Sequence, residues 1–80
     1  MALKTAFAQE VLQGRKRLKL TQQQVADAAA ISVRWYQQIE KGTFLPSSTV
    51  MLRLILLLQV DVHKLSEEVE THGALSVLPH

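Results

Sequence analysis

The run LTQQQVADAAAISVRWYQQIEKG, from Leu20 to Gly42, constrains the fold of this chain more tightly than any other stretch. Thr21 followed by Gln24 predicts a capping box: the threonine hydroxyl accepts from a first-turn amide while the glutamine side chain reaches back. Behind that cap, Val25, Ala26 and Ala29 recur at three- and four-residue spacing, so one face of a short helix is apolar. Ala30 and Ile31 interrupt the pattern and Ser32 offers a second N-cap. The apolar positions then become Tyr36 and Ile39, again on one face. The run closes at Gly42, where a helix C-terminus favours a residue free to take positive φ.

Two short helices joined by a tight turn, the second closed by glycine, make a helix-turn-helix pattern. The second helix leaves Arg34, Trp35, Gln37, Gln38 and Lys41 outside. Arginine and glutamine carry donors suited to guanine and adenine edges, and lysine is a point charge for phosphate. The residues alone fit a solvated, glutamine-rich helix equally well. Trp35 favours the first reading, because a large apolar ring left in water usually serves an interface.

With those residues in view, Leu20 to Gly42 resembles the helix-turn-helix signature of the lambda-repressor-like (Xre/Cro) family of bacterial and phage DNA-binding proteins. The matching elements are Leu20-Thr21-Gln22, Val25-Ala26, Ile31-Ser32, Tyr36 and Ile39-Glu40-Lys41-Gly42, without insertion or deletion. Pro46-Ser47 and an apolar helix follow, as in the family, and the resemblance spans roughly residues 5 to 69. It implies an all-α, five-helix domain with the helix-turn-helix at its centre and double-stranded DNA as the partner. It also implies that Gln22 holds a phosphate at the start of helix 2. Ser32 and Trp35 should lie toward the DNA backbone, with Val33, Arg34, Gln37 and Gln38 facing bases and Lys41 and Thr43 on phosphate. Trp35 has a rival role, packing on helix 2 or on a partner protein. Arg15 is expected to pair with Glu40, tying helix 1 to the end of helix 3. The sequence departs from the family at two positions commonly occupied by glycine, Lys19 and Ala30, where positive φ would be mildly strained.

Eighty residues make one domain with a single small core. Apolar residues reach 48%, which argues against disorder for the body of the chain. There is no cysteine, so no disulfide framework or thiolate metal site, which suits a reducing cytoplasm. The N-terminal residues lack the apolar segment and cleavage site of a secretory signal, and Leu54 to Leu58 is far too short to span a bilayer. The net charge of +2 hides an asymmetry: residues 1–46 carry seven Lys/Arg against three Asp/Glu, whereas residues 47–80 carry two against four. The basic half includes the cluster Arg15, Lys16, Arg17 and Lys19, an excess suited to a phosphate-facing surface.

A first helix is predicted over Thr5 to Leu18, with Phe7, Val11 and Leu18 inward and Gly14 permitting close approach of a neighbour. Tyr36 reads as core, its hydroxyl reaching a polar neighbour. Leu45 is the expected anchor of the loop 43–46. Ser47 or Ser48 should cap a fourth helix running to Leu58 or Gln59, with Met51, Leu54, Ile55 and Leu58 as its core stripe. Leu52 and Leu56 fall on nearly the opposite face, so a second side of this helix needs cover. A homodimer seam through Leu52 and Leu56 is one cover, suited to proteins that read two half-sites about 34–36 Å apart. A tail folded back through Leu75, Val77 and Leu78 is the other. Asp61 can cap a fifth helix over Val62 to Glu70, with Val62, Leu65 and Val69 inward. The expected organisation is a DNA-binding domain over residues 1–70 and a tail over 71–80.

Catalytic chemistry is not visible. His63, His72 and His80 lack metal-ligand spacing, no nucleophile sits beside a base, and the three glycines are too scattered to cradle a phosphate. No cofactor or small-molecule ligand is expected. The expected function is a cytoplasmic, sequence-specific DNA-binding regulator, most simply a repressor. The other reading is an antitoxin or protein-interaction module on the same fold.

Overall fold

A computed structural model describes residues 2–65, and among these the chain is entirely helical where it is regular. Helix α1 runs Leu3–Arg17, α2 Gln22–Ala29, α3 Val33–Glu40 and α4 Ser48–Leu58. A fifth helix, α5, opens over residues 62–65. Helix α1 starts two residues before the predicted Thr5 and ends at Arg17, so Leu18 becomes its half-buried C-cap. The expectations for Val69 and for the tail from residue 71 onward lie outside the described residues.

The caps explain the helix starts. Thr21 Oγ1 accepts from the Gln24 amide at 3.0 Å, and the Thr21 amide donates to Gln24 Oε1 at 2.8 Å, completing the capping box. Ser32 Oγ accepts from the Trp35 amide at 3.1 Å and Ser47 Oγ from the Val50 amide at 3.4 Å. Asp61 Oδ1 accepts from the His63 amide at 2.9 Å and starts α5. Helix exits use left-handed residues: Lys19 (φ 59°), Ala30 (φ 61°), Gly42 (φ 73°) and Gln59 (φ 54°). Three of these carry a β-carbon, a strain of order 1 kcal/mol each that the surrounding packing must hold.

Phe7 and Val11 from α1, Val25, Ala26 and Ala29 from α2, Tyr36 and Ile39 from α3, and Leu54 and Leu58 from α4 fill one core. Gly14 lets α1 lie directly on the end of α4. Arginines stitch the frame from outside. Arg17 Nη2 donates to the Leu58 carbonyl at 2.9 Å and the Gln59 carbonyl at 3.2 Å, satisfying the open end of α4. Arg53 Nη1 does the same for α2, reaching the Ala29 carbonyl at 3.2 Å.

Two core assignments made from the sequence are corrected. Leu45 is exposed, while Phe44 packs against the core and Pro46 is buried. Successive side chains of an extended segment point to opposite sides, so placing Phe44 and Pro46 inward turns Leu45 outward. Val62 is also exposed, because it is the first residue of α5 and Val60 fills the apolar position instead. Val60 and Leu65, both buried, occupy the two positions of a hydrophobic staple around the Asp61 cap. On α4, Leu52 and Leu56 stand 59% and 78% exposed on the side turned away from the core.

Candidate nucleic-acid interface

The site is built where the N-terminal end of α2 meets the length of α3. The cap at Thr21 uses the Gln24 amide, and the Val25 amide turns back to the Thr21 carbonyl at 3.1 Å. The N–H groups of Gln22 and Gln23 therefore point out of the helix at its positive end, the usual place for an anion. Helix α3 runs beside this end. Its buried residues are Tyr36 and Ile39; Arg34, Trp35 and, after the helix, Lys41 and Thr43 are exposed. Ser32, also exposed, spends one acceptor site on its cap and keeps its hydroxyl proton for another partner. Val33 is half-buried against the core, so only part of its side chain is presented outward.

Beneath that surface lies a chain of polar contacts that, beyond the expected Arg15–Glu40 pair, the sequence pattern does not reveal. Arg15 Nε donates to Glu40 Oε2 at 2.6 Å and its Nη2 to Oε1 at 3.3 Å, a two-pronged pair joining α1 to α3. The guanidinium also reaches the Leu20 carbonyl at 3.1 Å. Gln22 Nε2 donates to Glu40 Oε1 at 2.9 Å, and Gln37 Nε2 donates to Gln22 Oε1 at 3.1 Å. Burial pushes the Glu40 carboxyl up, but its polar neighbours Arg15, Tyr36 and Gln22, in that order, outweigh it and hold it below the usual carboxylate range. Arg15 is in turn raised, chiefly by its hydrogen bond to Glu40. Gln22, Gln37, Glu40 and Lys41, with Leu12, line an open groove over this network.

Tyr36 sits next to the pair, in the core, with Glu40 as the polar neighbour of its hydroxyl. Its hydroxyl is buried and completes no hydrogen bond among the described residues. Burial first, and the Glu40 carboxylate second, push its pKa well above the ordinary phenol range, so it stays protonated.

Two other residues complete the surface. Gln38 Oε1 accepts from Thr43 Oγ1 at 3.2 Å, linking α3 to the following loop. Trp35 meets Phe44 edge-on, with ring centroids 5.0 Å apart and planes at 70°. Phe44 went unnoticed in the sequence because the loop 43–46 has no periodicity to place it. The basic cluster before Leu20 is divided by the fold: Arg15 and Arg17 turn to helix partners, while Lys16 and Lys19 remain exposed.

A family model described as a helix-turn-helix domain matches residues 6–67, which takes in α2 to α4 and all of α1 but its first turn. The chain belongs to the helix-turn-helix domain family. Neither a curated protein nor a solved structure matches it. Within the helix-turn-helix, α2 and α3 are the two helices of the motif and Ala30 to Ser32 its turn. No helix among the described residues is long and apolar enough to cross a membrane.

Proposed function

We propose that the chain is a sequence-specific double-stranded DNA-binding regulator of the Xre/Cro type, acting as a cytoplasmic repressor, with α3 in the major groove. The observation that carries this reading is the outer strip of α3. Arg34 and Lys41 stand exposed, with Gln37 and Gln38 half-exposed between them in the chain, and Gln37 meets the open N-terminal end of α2 at Gln22. Family membership supports DNA as the partner, since the second helix of this motif is the one that enters the groove. Arg34 suits guanine O6 and N7, and Val33 a thymine methyl. Ser32, Trp35, Lys41 and Thr43 serve the phosphates, with the Gln22 and Gln23 amides at the end of α2. The role is binding and not catalysis.

We place a homodimer on the opposite side, through Leu52 and Leu56. Two large aliphatics one turn apart, both mostly in water, suit a second copy that brings two reading helices to adjacent half-sites.

Binding to a pool of random duplexes tests the reading. Affinity should fall steeply with salt, since phosphate contacts release counterions. Arg34→Ala and Gln38→Ala should each lose sequence preference at one position, by about 1–3 kcal/mol, with unfolding curves unchanged. Should both variants select the same sites as the parent, α3 does not read sequence. A parent that binds no duplex leaves the protein-interaction reading.

A further inference from the structure

The Glu40–Gln22–Gln37 contacts form a one-way chain. An ionised carboxylate only accepts hydrogen bonds, so Gln22 must turn its NH2 group toward Glu40. Its carbonyl oxygen then faces Gln37, and two carbonyl oxygens would repel. Gln37 must therefore give an N–H inward, at 3.1 Å. An isolated glutamine side chain flips its amide freely and reads donor or acceptor edges alike. This one has one N–H committed to Gln22 and lines the open groove, which leaves its oxygen and second N–H for another partner.

We infer that Gln22 is a positioning residue that fixes the amide of Gln37, making Gln37 a specificity determinant for a base offering a hydrogen-bond donor in the major groove. Adenine N6 and cytosine N4 are the donors of that class; adenine also offers N7 to the second N–H of Gln37, whereas guanine, whose major-groove edge only accepts, leaves the Gln37 oxygen unmatched. The inference rests on the DNA reading above and gives Gln22 a different task from the phosphate clamp expected of its side chain. It needs no contact between the Gln22 side chain and DNA. Glu40 keeps its place because Arg15 holds its other oxygen.

Two measurements on the full chain test it. In the free protein, the side-chain NH2 resonances of Gln37 should shift in Gln22→Met and in Gln22→Ala, two variants that leave the Arg15–Glu40 pair intact. Unmoved Gln37 resonances in a folded variant overturn the relay without any reference to DNA. Selection from random duplexes then compares the parent, Gln22→Met and Gln37→Met. Both variants should lose preference at the same single position, about fivefold or more, with an unchanged salt slope. Suppose instead that Gln22→Met weakens all sequences equally and leaves the preference at that position untouched. Gln22 is then a phosphate contact and the inference is wrong. A shifted Gln37 resonance in a protein whose parent selects no sequence removes the DNA reading, and with it the specificity role.

Discussion

A β-carbon on Gly14 would stand 2.8 Å from the carbonyl oxygen of Leu58 and 3.0 Å from its Cβ, so α1 and α4 touch at a point where only glycine fits. That same carbonyl accepts from Arg17 and, being backbone, cannot swing aside. Alanine at position 14 gains about 1 kcal/mol of helix propensity but overpacks the contact, at about 1–3 kcal/mol. Gly14→Ala should therefore lower the urea midpoint, despite being a better helix former. A raised midpoint would mean the two helices have room to part.

The Arg15–Glu40 pair is largely shielded, with the two side chains 17% and 7% exposed. Removing one partner strands the other, so Arg15→Met and Glu40→Gln should each lose about 1.5–3 kcal/mol. The double variant should lose less than the sum of the two. Additive losses would show the two residues contribute separately. The pH dependence follows from the depressed Glu40 carboxyl. Its contribution is complete above the ordinary glutamate value of 4.5 and is lost as pH falls through the lower folded value. Denaturant titrations from pH 7 downward should show this acid-side loss in the parent and less of it in Glu40→Gln.

Trp35 is the chain's one tryptophan, half exposed and held edge-on by Phe44. Phe44→Ala removes the ring contact and should shift Trp35 emission to the red, with a loss of about 0.5–1.5 kcal/mol beyond buried area. If Trp35 also lies at the DNA backbone, adding duplex should change its emission in the parent. Emission indifferent to saturating DNA would take Trp35 out of the interface.

Leu56, 78% exposed, is the sharpest test of the dimer. Leu56→Glu should sediment as a monomer and bind full palindromic sites much more weakly than the parent, while retaining its helicity. A parent that is already monomeric, or a variant of unchanged mass, moves the seam elsewhere.

The local signals in the chain were readable because each acts within a turn or two. The Thr21–Gln24 box, the caps at Ser32 and Ser47, the Asp61 start and the glycine at 42 depend on residues a few positions apart. Lys19 and Ala30 do take positive φ, so these turns accept a small strain and are not reshaped. Gln59 takes it too, with no glycine or asparagine to announce it. The misplacements at Leu45 and Val62 arose where hydrophobicity had no period to fix its phase: an extended loop and the first turn of a helix. The polar relay was invisible for another reason. Gln22, Gln37 and Glu40 are fifteen and eighteen positions apart, and polar side chains carry no spacing rule that predicts which amide will face which carboxylate.

Glu40 belongs to α3, yet its two oxygens are spoken for by α1 and α2. Helix α3 is consequently not an exchangeable cassette. Grafting another protein's reading helix into this frame would leave the Arg15 guanidinium without a counterion and the Gln22 amide without an anchor, unless the graft kept an acid at the same register. Redesign of the target sequence has its freedom in the first turn, at Val33 and Arg34, and little of it at the helix's closing end.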